Sequence, residues 1–170
     1  MSEEFDLSGF EGTWAIDLSR SQVLDEKTGE WVPEWLENQD IEMRHEGDVQ
    51  VYRGEVKAAA DLTMYMGYTA TWSAAEWVPY TIVQIDGPED HPLLQPNATL
   101  KAGTKLGAPI AWVKQIYVDP RTHYRISKNL DGTPQYVMER RLLDDGSILS
   151  TVIAPGGIPT IRKYFTRIAG

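Results

Sequence analysis

The 170-residue sequence predicts an all-β fold, an up-and-down antiparallel barrel of about eight to ten strands. Three observations lead there. Strand-like runs follow one another from residue 40 to the C-terminus, and the joints between them have the composition of tight turns. No joint holds the roughly dozen residues, usually helical, that a parallel crossover requires. In chain order the expected strands are Gly12–Leu18, Asp40–Glu46, Asp48–Lys57, Asp61–Ser73, Trp77–Asp86, Leu106–Asp119, Thr122–Asn129, Pro134–Leu143, Ile148–Ala154 and Pro159–Ile168. Glu46-Gly47-Asp48, Leu130-Asp131-Gly132, Asp144-Asp145-Gly146 and Gly156-Gly157 join neighbouring strands, because Gly, Asn and Asp accept the positive φ of short hairpins.

Alternation assigns the faces. In Asp61–Ser73, Leu62, Met64, Met66, Tyr68, Ala70 and Trp72 share one face, opposite Thr63, Tyr65, Gly67, Thr69, Thr71 and Ser73. In Asp40–Glu46, Ile41, Met43 and His45 oppose Glu42, Arg44 and Glu46. Half-buried antiparallel strands read this way. A long meander hides its apolar face and its edges by closing on itself. Two stretches depart from the rhythm. Val32–Asn38 has Pro33 at a first helical position, Glu34 and Glu37 early and Asn38 at the end, which predicts one short helix near the N-terminal third. Gly87–Lys105 carries Pro88, Pro92 and Pro96 with Leu93-Leu94, and reads as an extended loop that is either a flap packed over the barrel rim or an ordered surface excursion.

Residues 1–170 are expected to form a single domain. Sixteen Lys and Arg against 25 Asp and Glu give a formal charge of -9, which argues against nucleic acid and anionic membranes as partners. The chain has no Cys, so disulfides and thiolate chemistry are excluded. The acidic N-terminus leads into no long apolar run, so a cytoplasmic protein is expected. Three scattered His lack ligand spacing, and no metal and no cofactor are expected. Neither a Gly-x-Ser-x-Gly elbow nor a phosphate-binding glycine loop is present.

Phe10-Glu11-Gly12-Thr13-Trp14, followed by Ser19-Arg20-Ser21, carries a Gly-x-Trp on the first strand, and Ile161–Arg167 ends the chain with an Arg. These residues resemble the two ends of lipocalin-like (calycin) proteins, most closely their cytosolic bacterial and fungal branch. The resemblance implies a barrel with one closed end, where the Arg covers the Trp, and a mouth that takes a small, largely apolar molecule. It implies no single activity, so function rests on the site.

The inward candidates follow from alternation. Met64, Met66, Tyr68 and Trp72 suit an adaptable ligand wall as well as an ordinary core. Trp112 and Lys114 are expected to share the inward face of their strand with Ile110, Ile116 and Val118. An inward Lys114 is either an anchor for a ligand oxyanion or a general base; a bulge that lets it reach water is the other reading. Tyr136, Met138, Arg140 and Leu142 share a face, which makes Arg140 the second candidate cation. His45 and His123 lie on strands and suit acid–base work or a structural role, and His91 is expected in solvent. Trp35, in the expected helix, is a lid or a plug.

The expected function is binding of one small hydrophobic or aromatic metabolite by a monomer or homodimer. A cofactor-free cyclisation, isomerisation, dehydration or decarboxylation is expected to follow, with Lys114, Arg140, Tyr68 and His45 as its polar groups. The alternative is a carrier or scavenger with no catalysis.

Overall fold

Short joints leave each strand no partner but its sequence neighbour, and the computed structural model follows that logic over the residues it describes, 5–74, 76–96 and 103–169. Twelve antiparallel strands form one sheet. They are β1 (Gly12–Ile16), β2 (Gln22–Leu24), β3 (Trp31–Pro33), β4 (Asn38–Glu46), β5 (Val49–Ala59), β6 (Leu62–Thr71), β7 (Val78–Asp86), β8 (Pro109–Asp119), β9 (Thr122–Lys128), β10 (Pro134–Leu143), β11 (Ile148–Ala154) and β12 (Ile161–Ala169). β4 to β12 pair in sequence order, and β1 pairs with both β4 and β12. Ten strands therefore close into a barrel, and closure removes the edges that would otherwise template aggregation. The ten expected strands are these ten.

The short helix expected in Val32–Asn38 does not form. Among the described residues, helical structure is limited to 3-10 turns at Ser8–Phe10, Pro92–Leu94 and Pro155–Gly157. Trp31–Pro33 instead pairs with Gln22–Leu24 as a small hairpin attached to β12. Its turn uses Gly29 at φ 73, a conformation that glycine adopts without strain. The Glu34 amide then donates to the Ser21 carbonyl at 3.0 Å. The Glu34 carboxylate accepts from the Trp35 and Leu36 amides at 3.1 and 3.4 Å. Tertiary pairing has overridden local helix signals.

The chain between β7 and β8 packs against one end of the barrel, as a flap rather than a surface excursion. Leu94 is buried there with Leu36, Ala58 and Leu62, beside the partly buried Met64 and Ile85. A β-carbon on Gly103 would lie 2.9 Å from the Leu94 carbonyl oxygen, so only glycine fits under the returning chain. Residues 97–102 of the expected loop lie outside the described residues. His91, expected in solvent, instead meets Asp61 through Nε2 at 2.9 Å. Its Nδ1 accepts from the Leu93 amide at 3.2 Å, which ties the loop to the β5–β6 turn.

Candidate functional site: a tyrosine and arginine cage in the barrel

One end of the barrel is sealed by the chain entering β1. Trp14 and Phe10 are fully buried, and the Trp14 indole donates to the Phe10 carbonyl at 3.0 Å. Arg167, on β12, lays its guanidinium 4.2 Å from the Trp14 ring centroid and donates to the carbonyls of Gly9 and Glu11. The Trp of the Gly-x-Trp and the Arg of the last strand thus meet at the closed end, 153 positions apart in sequence. His123 packs inside this plug, 4.3 Å from Phe10 and 5.0 Å from Trp72 between ring centroids. Neither of its nitrogens has a hydrogen-bond partner. Burial, reinforced by the charges of Arg140, His45 and Arg125, holds its pKa well below the usual histidine value.

The middle of the barrel is polar. Arg140 and Arg125 are 2% and 5% exposed, on the neighbouring strands β10 and β9. Tyr52 and Tyr68 stack at 5.0 Å, and Tyr80 meets both edge-on at 5.9 and 5.4 Å. The Arg125 guanidinium lies 5.0 to 5.8 Å from the ring centroids of Tyr80, Tyr52, Tyr136 and Tyr68, and its Nη2 donates to the Tyr136 hydroxyl at 2.8 Å. Arg140 donates from Nη2 to the Tyr52 hydroxyl at 3.2 Å. The guanidiniums have no carboxylate within 4.0 Å among the described residues, and Arg125 Nε, Arg125 Nη1 and Arg140 Nε have no partner at all. Burial alone would raise the Tyr52 pKa. Arg140 and Arg125 outweigh it and hold the hydroxyl down to about 8. Burial moves Tyr68 the other way, and burial with the nearby Tyr52 oxygen moves Tyr80 well up.

A hydrogen-bonded chain links this cage to the surface. Glu11 meets His45 Nδ1 at 2.7 Å, and His45 Nε2 meets Gln50 Oε1 at 2.8 Å. Gln50 donates to Gln115 Oε1 at 2.6 Å, and the Tyr68 hydroxyl donates to the same oxygen at 3.2 Å. His45 is therefore a half-buried link to the rim of the cage.

Strand register places a third cation deeper toward the other end. Arg140 faces His123 on β9 and Thr151 on β11, and Thr151 faces Lys163 on β12. Lys163 donates to Gln39 at 2.7 Å and lies 3.7 Å from Glu34. Burial lowers the Lys163 pKa, and Glu34 only partly offsets it. Glu34, Leu36 and Leu94 cover this end, with Met64 half-buried in the wall beneath and Met66 half-buried against the main core. The loop edge outside them borders a pocket of about 460 Å3, lined by Ile85, Leu94, Thr104 and Leu106.

The sequence-predicted residues divide between inside and outside. Tyr68, Trp72, Met138 and Arg140 are buried and Met64, Met66 and Tyr136 half-buried on the inner face. Trp72 belongs to the closed end rather than the cage. Lys114 and Trp112 stand on the outer face. Ala111, Val113 and Gln115 are the buried alternation of β8, and of the residues expected inside with Lys114 only Ile110 is buried, while Ile116 and Val118 are 40% and 51% exposed. Lys114 rests outside on the Trp77 ring, 4.5 Å from its centroid, with Lys128 4.3 Å away. A register shift where β7 meets β8, between Tyr80 and Thr81, accompanies this inversion. Trp35 is in no helix and is 60% exposed, so it is not a plug.

Arg125, Tyr52, Tyr80, Gln115 and Lys163 were not singled out from sequence. β9 runs polar inside (His123, Arg125, Ser127) and more apolar outside (Tyr124, Ile126), the reverse of the usual pattern. The signal that could have found Arg125 is its period-two spacing from His123 and Ser127.

By sequence, the chain matches no protein-family model and no curated protein. Among solved structures it is similar to the Schistosoma mansoni fatty acid binding protein in complex with arachidonic acid. That alignment covers 96% of this chain and 98% of that one, with a TM-score of 0.57 and 14% sequence identity. At such identity the likeness is one of fold, a closed antiparallel barrel.

Proposed function

We propose that this barrel binds one amphipathic molecule, its acidic group held by Arg125, Arg140 and Tyr52 and its apolar part directed toward Met64, Met66, Leu36 and Leu94. The observation that carries the reading is the pair of buried guanidiniums with unpartnered N–H groups and no carboxylate beside them. An unpaired buried charge costs several kcal/mol, and an acidic ligand repays that cost where water repays it less fully. The fold neighbour was solved with a fatty acid bound, which supports an apolar tail.

Carriage without catalysis is the first form of this proposal, because Lys114, the expected base, stands outside the barrel. A catalytic form rests on one observation, the Tyr52 hydroxyl held near ionisation between two cations, which suits a general base. A cytoplasmic setting, a single-domain monomer or homodimer, and kinship with the cytosolic bacterial and fungal lipocalin-like branch complete the proposal. The Trp14–Arg167 contact supports the last of these.

Calorimetric titration with dodecanoate tests the reading. Saturable binding to the native chain, weakened at least about tenfold by Arg125→Met or Arg140→Met, is the expected result. Equal binding by all three proteins would sink it.

A further inference from the structure

The interior of the barrel carries a charge surplus of a definite size. Among the described residues the buried ionised side chains are Arg125, Arg140, Lys163 and Glu34. Glu34 and Lys163 compensate each other at 3.7 Å. His123, inside the plug, is held neutral by its burial. Two positive charges remain, both in the cage, and both guanidinium carbons lie within 5.3 Å of the same Tyr52 ring centroid.

From this we infer that the head group of the ligand is a dianion with three terminal oxygens, a phosphate monoester, rather than a carboxylate. The inference rests on the acidic-amphiphile reading above and narrows it. A carboxylate has one charge and two oxygens, and one guanidinium fork satisfies it. The second guanidinium would stay buried and unpaired. A phosphate monoester carries about -1.5 to -2 charges near neutral pH and three strong acceptor oxygens. The cage offers three unpartnered guanidinium nitrogens, Arg125 Nε, Arg125 Nη1 and Arg140 Nε, and the unpartnered hydroxyl of Thr151. Thr151 sits opposite Arg140 in the ladder. Charge and donor number therefore agree on the same chemical class.

The test compares dodecyl phosphate, dodecanoate and inorganic phosphate on the full chain by calorimetry, at about pH 5.5 and about pH 7.5, on either side of the second phosphate pKa near 6. The expected result is at least about tenfold tighter binding of dodecyl phosphate than of dodecanoate at the higher pH, with most of that preference lost at the lower pH. Arg140→Gln should erase the preference, and Arg140→Lys, which keeps the charge and guards against a folding defect, should retain part of it. Dodecanoate binding as tightly as dodecyl phosphate at the higher pH overturns the dianion and leaves the acidic-amphiphile reading standing. Failure of both amphiphiles overturns both. Inorganic phosphate binding as tightly as dodecyl phosphate supports the dianion and removes the apolar tail from the reading.

Discussion

Arg140 donates to the Tyr52 hydroxyl at 3.2 Å while its guanidinium carbon lies 4.9 Å from the centre of the same ring, so one tyrosine receives both a charge-assisted hydrogen bond and a cation at its face. With Arg125 also beside it, Tyr52 is the internal anion nearest to forming in the cage.

That placement predicts an alkaline gain in stability. The Tyr52 pKa is about 8 in the folded chain against 10.0 when unperturbed. Between these values the folded state releases a proton that the unfolded state keeps, so stability rises with pH through about 8 and is fully gained near 10. Lys163, lowered from 10.5 by burial, adds in the same direction as pH rises toward that value. Urea unfolding at successive pH values should show a rise on the order of 1 kcal/mol or more, and Tyr52→Phe should flatten its lower half. A phenolate absorbance step near pH 8, absent from Tyr52→Phe, is the spectroscopic counterpart. A bound phosphate monoester should move that step upward, because its charge competes with the phenolate for the same arginines.

His123 predicts the acid limb. Its folded pKa lies well below the unperturbed 6.5, so the unfolded state takes up a proton first as pH falls, and stability drops below about pH 6.5. His123→Leu removes a buried imidazole with no partner on either nitrogen. The variant should lose the acid dependence near pH 6 and be no less stable than the native chain at neutral pH, since burying an unsatisfied polar group costs about 1–3 kcal/mol. A native-like acid limb in this variant, measured by thermal melts, would refute the assignment.

The closed end should be the most sensitive to truncation. Trp14→Ala leaves a cavity under Arg167 and is expected to cost about 3–5 kcal/mol, the usual range for a buried aromatic. Arg167→Ala removes the cation over the indole and strands the carbonyls of Gly9 and Glu11, and should cost about 2 kcal/mol. Denaturant midpoints with unchanged slopes would measure both. Neither substitution touches the cage, so ligand affinity should survive in the folded fraction.

How far these features were legible in sequence depends on how far polarity and burial agree. The strands were readable because their turns are made of Gly, Asn and Asp, and β4 and β6 were assigned to the correct faces because Met43 and Tyr68 alternate with polar or small neighbours, and β10 because Tyr136, Met138 and Leu142 share one face opposite Glu139 and Arg141. β8 was assigned to the wrong face and β9 to neither, because this barrel buries Gln115, His123 and Arg125 and exposes Ile116 and Val118. Hydrophobic alternation assumes an apolar interior, and a polar site inverts it wherever the site is densest. Arg140 was found through its company of Tyr136, Met138 and Leu142, whereas Arg125 has only polar companions. The β2–β3 hairpin was missed for another reason: three-residue strands carry too little period to outweigh a Pro-Glu helix signal, and only pairing with β12 fixes them.

The same hairpin leads to the last prediction. It delivers Glu34 to Lys163 at the end opposite the plug, where both side chains are at least about nine-tenths buried. Glu34→Gln keeps the size and one acceptor but leaves Lys163 without its counter-charge. Breaking a buried pair from one side costs about 3–5 kcal/mol. Lys163 also bonds to Gln39 at 2.7 Å and lies near the barrel end, so a loss of about 2 kcal/mol is the better expectation. The carboxylate also accepts from the Trp35 and Leu36 amides, and an amide oxygen replaces a carboxylate less strongly there. The cover formed by Leu36 should therefore open more readily, and stopped-flow mixing should show dodecanoate entering and leaving faster with little change in Kd. If entry is unchanged while stability falls, Glu34 only compensates Lys163 and the ligand passes elsewhere. If stability is unchanged and entry is faster, the pair is a latch whose attraction barely exceeds the cost of burying it.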